Sequence, residues 1–110
     1  MSGAYEPVAK LDDIADGDML QVVVRGDLVG LYRVGANVYA IGDVCTHEEA
    51  YLSEGDFEPD ELEVECPLHG SRFNVETGEV RILPATRPVD VFEARVEGDE
   101  ILVGPKRIRE

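Results

Sequence analysis

Apolar residues fall in short runs along the chain, and turn-forming residues separate each run from the next. The turn signals recur about every eight to twelve residues, a spacing typical of antiparallel strands rather than of alternating strands and helices. Gly26-Asp27 and Gly98-Asp99 each predict a two-residue hairpin turn, and the segments "GAN" at 35–37 and "ETG" at 76–78 predict two more turns. The pattern therefore predicts an all-β domain.

The runs between these turns are the predicted strands. In chain order they are YEPVAKL, MLQVVVR, LVGLYRV, VYAIGD, RFNV, EVRIL, VDVFEARVE and EILVG. The alternation in VDVFEARVE is loose, which indicates a strand of a sandwich with both faces partly covered. The stretch DDIADGD predicts one short helical turn. The largely polar stretch LSEGDFEPD at 52–60 contains Gly and Pro and predicts a loop.

Composition limits the size and the partners of the protein. With 110 residues, of which 44% are hydrophobic, the chain suits one globular domain with a modest core. A net charge of −14 argues against nucleic acid and against an anionic membrane surface, and it suits a partner with a basic docking face. No apolar run approaches the roughly 18 residues of a membrane span, and the N-terminus lacks a signal-peptide pattern. We therefore expect a soluble, cytoplasmic monomer.

All cysteines and histidines of the chain lie in two short motifs. "CTHEEA" at 45–50 contains Cys45 and His47, and "CPLHGS" at 66–71 contains Cys66 and His69. Chance grouping is a poor explanation for two matched pairs, and a catalytic Cys–His dyad would leave one pair without a role. Two thiolates and two imidazoles satisfy tetrahedral zinc, although zinc fingers usually group like with like. Mixed pairs suit a centre of two metal atoms, one bound by both thiolates and the other by both imidazoles.

These motifs, together with the proline loop "LPATRP" at 83–88, resemble those of a known family. The chain is similar over nearly its whole length to the Rieske ferredoxins of multicomponent aromatic-ring-hydroxylating dioxygenase systems, such as those of biphenyl and carbazole dioxygenases. The resemblance implies one Rieske-type [2Fe–2S] cluster, with one iron bound by Cys45 and Cys66 and the outer iron by His47 and His69.

The same resemblance implies a fold and a division of the chain. The expected fold is the all-β Rieske fold, an antiparallel β-sandwich base with a smaller β subdomain whose two loops hold the cluster. Residues 1–110 would then form a single domain. Within it, residues 1–42 and 87–110 would form the base, and residues 43–86 would form the cluster-binding subdomain.

Around the ligand motifs, the chain departs from the quinol-oxidising members of the family. The resemblance places Ala50 and Leu68 where those proteins carry a disulfide, and Phe73 where they carry a tyrosine that bonds a ligand thiolate. Ser71, whose counterpart hydrogen-bonds a bridging sulfide, is retained. Because fewer hydrogen bonds to sulfur stabilise the reduced cluster less, we expect a reduction potential at the low end of the Rieske range, roughly −150 mV.

Further residues are expected beside the cluster. Pro67 and Pro84 are expected to stiffen the loops over it. Leu52, Leu68 and Phe73 are expected to form an apolar lid that limits the access of water to the sulfurs.

The resemblance implies an electron carrier that has no reaction of its own. An NAD(P)H-dependent flavoprotein reductase would supply the electron, and a terminal Rieske non-haem iron oxygenase would receive it. No histidine remains for a mononuclear iron site once the cluster is bound, so the chain is not expected to activate oxygen. One alternative is a Rieske-type small subunit or electron carrier of another reductase, such as the nitrite type. Another is a zinc-stapled interaction module.

Overall fold

The structure is a computed structural model that describes residues 5–46, 50–68 and 70–107. Within these ranges the chain forms β-strands and two 3-10 turns, Leu11–Asp13 and Leu52–Glu54. The strands are β1 (Glu6–Lys10), β2 (Met19–Val24), β3 (Asp27–Val34), β4 (Asn37–Gly42), β5 (Asp56–Glu58), β6 (Glu63–Glu65), β7 (Arg72–Asn74), β8 (Val80–Ile82), β9 (Val91–Glu97) and β10 (Glu100–Lys106). No helix in the described ranges is long and apolar enough to cross a membrane. The prediction of an all-β domain is confirmed.

The strands form two antiparallel sheets. Six strands make the larger sheet, in the order β1-β10-β9-β4-β3-β2, and four short strands make the smaller one, in the order β5-β6-β7-β8. The larger sheet takes its strands from both ends of the chain, because β1 pairs with β10 and β4 pairs with β9. The smaller sheet is built from the segment between β4 and β9, and that segment also carries both Cys/His motifs.

Two buried cores share the central strands of the larger sheet. Val29 and Leu31 of β3 belong to the first core, which we call the basal core. Tyr32 points to the opposite face of the sheet and belongs to the second core. In β9, Phe92 joins the basal core and Val91 joins the second one. Because successive strand residues point to opposite faces, both faces of these strands are covered, as the loose alternation in VDVFEARVE predicts.

The second core, called the distal core below, joins the larger sheet to the smaller one. Its buried members are Tyr32, Ile41, Cys45, Ala50, Leu52, Val64, Cys66, Phe73, Val75, Ala85, Val89 and Val91. Both cysteines of the chain are among them. The two thiols therefore lie in the core that joins the two sheets.

The predicted position of the first hairpin turn is wrong by one residue. Val24 pairs with Asp27 across β2 and β3, so the turn consists of Arg25 and Gly26. Their φ angles are 50° and 88°, and this left-handed backbone at both positions matches the twist of the flanking strands. The turn Gly98-Asp99 is confirmed, since β9 and β10 resume pairing directly after it.

The prediction that residues 52–60 form only a loop is also wrong. This stretch contains a 3-10 turn and β5, whose Phe57 packs against the distal core. A strand with one apolar residue between two acidic ones is too short to give a recognisable alternation. Gly55 lies just before β5, where a Cβ atom would collide with the Glu65 carbonyl oxygen. The close approach of β5 to β6 therefore requires glycine at this position.

Candidate metal centre

The fold brings Cys45 and Cys66 into the same buried core from two different sheets. Their exposed fractions are 4% and 1%, and neither is recorded in a disulfide. Cys45 follows β4 of the larger sheet, and Cys66 directly follows β6 of the smaller sheet. The two motifs, which are separate in sequence, thus each contribute one thiol to the distal core.

The segment that carries Cys45 is closed by backbone hydrogen bonds. The Cys45 N–H donates to the Ala50 carbonyl oxygen at 2.9 Å, and an isolated β-bridge joins the residues next to this pair. One step further back, the Leu52 N–H donates to the Asp43 carbonyl oxygen at 2.7 Å. These bonds form a short antiparallel ladder beyond β4, and the ladder fixes the backbone at Cys45.

The loop that carries Cys66 is closed by backbone bonds and by an ion pair. The Cys66 N–H donates to the Ser71 carbonyl oxygen at 2.7 Å, and the Gly70 N–H donates to the Cys66 carbonyl oxygen at 3.2 Å. Glu65 and Arg72 pair directly across β6 and β7, and Nε and Nη2 of Arg72 donate to Glu65 Oε1 at 3.2 and 3.0 Å. Hydrogen bonding to Glu65 is the largest cause that raises the pKa of Arg72. The ion pair therefore clamps the base of the loop.

A third segment, residues 83–88, is tied to both motifs. The Ala85 N–H donates to the Ser71 hydroxyl oxygen at 2.9 Å, and the Thr46 hydroxyl donates to the Arg87 carbonyl oxygen at 2.7 Å. Ser71 is fully buried. Because its oxygen accepts this bond, its own hydroxyl hydrogen remains available for a second partner.

The other residues expected beside the ligands divide into buried and exposed ones. Leu52 and Phe73 are fully buried in the distal core with both thiols. Pro67, Leu68 and Pro84 are exposed, and 57% of the surface of Leu68 is accessible. The structure therefore places Leu52 and Phe73 in the core that contains the thiols and leaves Leu68, within the second motif, at the surface. The apolar lid and the stiffening role of the prolines stay predictions.

His47 and His69, the imidazoles expected as ligands, lie outside the described residues. Within the described part of the chain, no three Cys, His, Asp or Glu side chains come together as a metal site. The two thiols are therefore the part of the expected ligand set that the structure positions.

Sequence reasoning missed Asp43, a fully buried carboxylate beside the first motif. It accepts hydrogen bonds from the Ser53 N–H at 2.8 Å, the Ser53 hydroxyl at 2.7 Å and the Gln21 side-chain amide at 2.6 Å. The Tyr32 hydroxyl is also buried, and it has no hydrogen-bond partner within the described ranges. Burial, followed by the charge of Asp43, raises the pKa of Tyr32 well above its ordinary value. The available sequence signal was the position of Asp43 two residues before Cys45.

This set of donors fits an iron–sulfur centre. Two buried cysteines supply the soft ligands that such centres use, and the structure records neither of them in a disulfide. They lie in an apolar core, and the buried hydroxyl of Ser71 is tied to the segment that spans both motifs. An apolar enclosure with a few hydrogen-bond donors is the kind of environment that tunes the potential of a cluster.

Comparison with known proteins identifies the class. A model of the Rieske [2Fe–2S] domain matches residues 4–93. The chain therefore belongs to the Rieske [2Fe–2S] domain family, and its cofactor is one Rieske-type [2Fe–2S] cluster.

Within this family, the chain is similar to ferredoxins of dioxygenase systems. It is 38% identical over 103 residues to the ferredoxin component of the naphthalene 1,2-dioxygenase/salicylate 5-hydroxylase systems of Ralstonia sp., a match that covers 94% of this chain and 97% of that one. The solved ferredoxin of carbazole 1,9a-dioxygenase from Nocardioides aromaticivorans IC177 has a TM-score of 0.90 and 45% identity, with 94% and 99% of the two chains covered.

A third match is a chain from the complex of reduced oxygenase and oxidized ferredoxin in carbazole 1,9a-dioxygenase. Its TM-score is 0.87 at 37% identity, over 96% of this chain and 98% of that one. The Rieske fold predicted from the motifs is confirmed. The protein is a Rieske ferredoxin, an electron-transfer component rather than a catalytic subunit.

Proposed function

We propose that this ferredoxin carries one electron at a time from an NAD(P)H-dependent flavoprotein reductase to the terminal oxygenase of an aromatic-ring-hydroxylating dioxygenase system. The observation that carries the proposal is the burial of both cysteines of the chain, Cys45 and Cys66, in one core beside two closed loops. Near full-length similarity to ferredoxins named for naphthalene and carbazole dioxygenases supports it. Because relatives of comparable identity are named for different compounds, the proposal covers aromatic substrates as a class.

The ligand assignment follows the two motifs. Cys45 and Cys66 would bind one iron, and His47 and His69 would bind the other. The bound cluster supplies a centre that takes up and releases a single electron. The chain keeps this centre in place through the ladder behind Cys45 and the ion-pair clamp at the base of the Cys66 loop.

The buried residues near the thiols favour a low reduction potential. The Ser71 hydroxyl keeps a hydrogen that is free to donate to a cluster sulfur, since its oxygen accepts the Ala85 N–H. Phe73 is fully buried and offers no second hydroxyl donor. With one side-chain hydroxyl donor rather than two, the reduced state is stabilised less, so we propose a potential near the low end of the Rieske range, roughly −150 mV.

Exposed apolar side chains beside the second motif are proposed as the contact with the oxygenase. Leu68, Ile82 and Leu83 expose 57%, 49% and 67% of their surfaces. They lie on two neighbouring segments that the bond from Ala85 to Ser71 joins. Contiguous exposed apolar side chains mark interaction sites, and we propose that these three form one such patch. A chain similar to this one is part of a complex with an oxygenase, which supports that partner here.

The proposal extends to the organisation and location of the chain. We assign residues 1–42 and 87–110 to the base and residues 43–86 to the cluster-binding subdomain. The separation of β5 to β8 into their own sheet supports this division. The charge of −14 and the lack of long apolar runs in the sequence support a cytoplasmic monomer.

Analysis of the purified protein tests the cofactor. We expect two irons and two acid-labile sulfides per chain, visible absorption, and a Rieske-type EPR signal in the reduced state. Replacing one imidazole by a thiolate, in His69→Cys, should alter the spectrum and lower the potential, because the cluster gains negative charge. A colourless protein that binds one zinc and no sulfide would refute the assignment.

Reconstitution with a reductase and an oxygenase of a ring-hydroxylating system tests the electron-transfer role. Leu83→Glu should slow oxygenase reduction by about tenfold or more, because it places a charge in an apolar contact. Val23→Glu is the matched control, since Val23 is 65% exposed but lies on the edge strand β2 of the larger sheet. Equal rates for both variants would contradict the proposed contact, and no electron transfer by the unaltered protein would contradict the role itself.

A further inference from the structure

We propose that the buried carboxylate of Asp43 lowers the reduction potential of the cluster through its negative charge. The proposal rests on the proposed function in one respect, namely that Cys45 is a cluster ligand. It assigns a tuning role to a residue that lies outside both ligand motifs, directly after β4.

Asp43 lies close to the ligand in the chain and is shielded from water. It precedes Cys45 by two residues, and its exposed fraction is 0%. Its main chain is part of the ladder that closes the first motif, because its carbonyl oxygen accepts the Leu52 N–H at 2.7 Å and its N–H donates to the Leu28 carbonyl oxygen at 3.0 Å. The position of the carboxylate relative to Cys45 is therefore set by the fold.

The carboxylate of Asp43 accepts hydrogen bonds on both of its oxygens. All three of its side-chain hydrogen bonds are accepted, two from Ser53 and one from Gln21, at 2.6 to 2.8 Å. An ionised carboxylate can only accept hydrogen bonds, and these three donors meet that requirement at both of its oxygens. Among the described residues, no Lys or Arg lies within ion-pairing distance of Asp43. The charge is therefore hydrogen-bonded but is not neutralised by a described cation.

The neighbouring residues leave room for this group. Gln21 pairs with Gly30 across β2 and β3, and a Cβ at Gly30 would lie 3.0 Å from both Asp43 Oδ1 and the Tyr32 hydroxyl oxygen. A side chain at position 30 would therefore push into the space that these two groups share. Glycine here leaves room for the Asp43 carboxylate beside the Tyr32 hydroxyl.

A buried negative charge opposes the arrival of an electron. Two residues of extended chain span about 7 Å, so the carboxylate lies on the order of 10 Å from a metal bound by Cys45. At that distance, and at the effective dielectric constant of about 20 that suits protein sites, one charge changes the equilibrium constant for reduction by about tenfold. Hydrogen bonds from neutral donors lessen this effect but do not cancel the charge.

The test is the reduction equilibrium of the cluster-loaded Asp43→Asn variant, measured against a redox dye of fixed potential. Asparagine has the same shape, and its partners can follow it, because the Gln21 amide can turn over and the Ser53 hydroxyl can accept instead of donating. We expect the equilibrium constant for reduction to rise by about tenfold, with an unchanged EPR line shape. The control is Ser53→Ala, which removes one hydrogen bond but keeps the charge, and it should shift the equilibrium by less than about threefold.

A second variant keeps the proposal testable if Asp43→Asn does not load a cluster. Gln21→Lys leaves Asp43 in place and brings a cation to its carboxylate, so it should also favour reduction. An unchanged equilibrium in either loaded variant, or an equal shift in Ser53→Ala, would overturn the charge effect. These outcomes differ from a failure of the proposed function, in which the unaltered protein would show no Rieske EPR signal.

Discussion

Tyr32 has a polar group that the fold buries without satisfying it, and replacing it by phenylalanine should stabilise the protein. Its exposed fraction is 0%, and its hydroxyl has no hydrogen-bond partner among the described residues. The ring itself packs well, edge-on against Phe57 with the ring centroids 5.0 Å apart. Tyr32→Phe keeps this aromatic contact and removes only the hydroxyl group.

The expected gain in the free energy of unfolding is the difference between two opposing contributions. A buried polar group without a partner costs about 1–3 kcal/mol. The void left by one oxygen atom costs about 0.3 kcal/mol, at about 24 cal/mol per Å³. The free energy of unfolding of Tyr32→Phe should therefore be about 1 kcal/mol higher at neutral pH, which corresponds to a rise in Tm of about 5 °C.

The stability of Tyr32→Phe should depend less on pH in the alkaline range than the stability of the unaltered protein does. Burial, followed by the charge of Asp43, raises the pKa of Tyr32 well above its ordinary value. Since the folded pKa lies above the unfolded one, the folded state retains a proton that the unfolded state releases above about pH 10. This contribution to stability is complete below pH 10 and is lost at about 1.4 kcal/mol per pH unit as the pH rises further towards the folded pKa.

Urea unfolding of both proteins, followed by circular dichroism at pH 7 and between pH 9.5 and 11, measures both effects. The stability difference between Tyr32→Phe and the unaltered protein should widen by about 1 kcal/mol between pH 10 and pH 11, because the full slope is reached only above the unfolded pKa. Tyr39→Phe is the matched control, because Tyr39 lies directly opposite Tyr32 across β3 and β4 and is only partly buried. A variant less stable at pH 7, or a difference independent of pH, would show that the hydroxyl is satisfied and the reasoning wrong.

Two further predictions concern positions close to the thiols. Ser71→Ala should lower the reduction potential, measured by dye titration, because it removes the hydroxyl donor. It should also lower the free energy of unfolding by about 1–3 kcal/mol, because it leaves the Ala85 N–H unpaired. A raised potential would contradict the assigned donor. Gly55→Ala should lower the free energy of unfolding by about 3 kcal/mol or more and reduce cluster loading, because its Cβ would collide with the Glu65 carbonyl oxygen. Gly42→Ala is its control, since a Cβ there has no neighbour closer than 3.8 Å, and similar unfolding curves for the two variants would refute the steric argument.

Local signals explain what could be predicted from the sequence. The two motifs and the hairpin turn at Gly98-Asp99 depend on residue types at fixed short spacings, so an all-β fold and a candidate ligand set were accessible. The one-residue error in the predicted position of the first hairpin turn, which consists of Arg25 and Gly26, has the same origin. The glycine marked the turn, but only the pairing of β2 with β3 shows which neighbour shares it.

The features that sequence reasoning missed depend on distant partners. Gln21 reaches Asp43 across 22 positions of the chain, and Ala85 reaches Ser71 across 14. An aspartate at the end of a predicted strand looks exposed until the fold buries it. Similarly, β5 is stabilised by its pairing with β6 and by Phe57 in the distal core rather than by its own pattern. Tertiary contacts therefore decide these positions.

Two buried polar side chains, Ser71 and Asp43, should act on the electron in opposite directions. Ser71, on the Cys66 side, is neutral and has a hydrogen to donate, so it favours the reduced cluster. Asp43, on the Cys45 side, carries a charge that is hydrogen-bonded but has no cationic partner among the described residues, so it favours the oxidised cluster. They belong to different segments and share no hydrogen-bond partner, so their effects should be close to additive. A low potential in this protein would then reflect an added buried charge as much as a missing hydroxyl at Phe73.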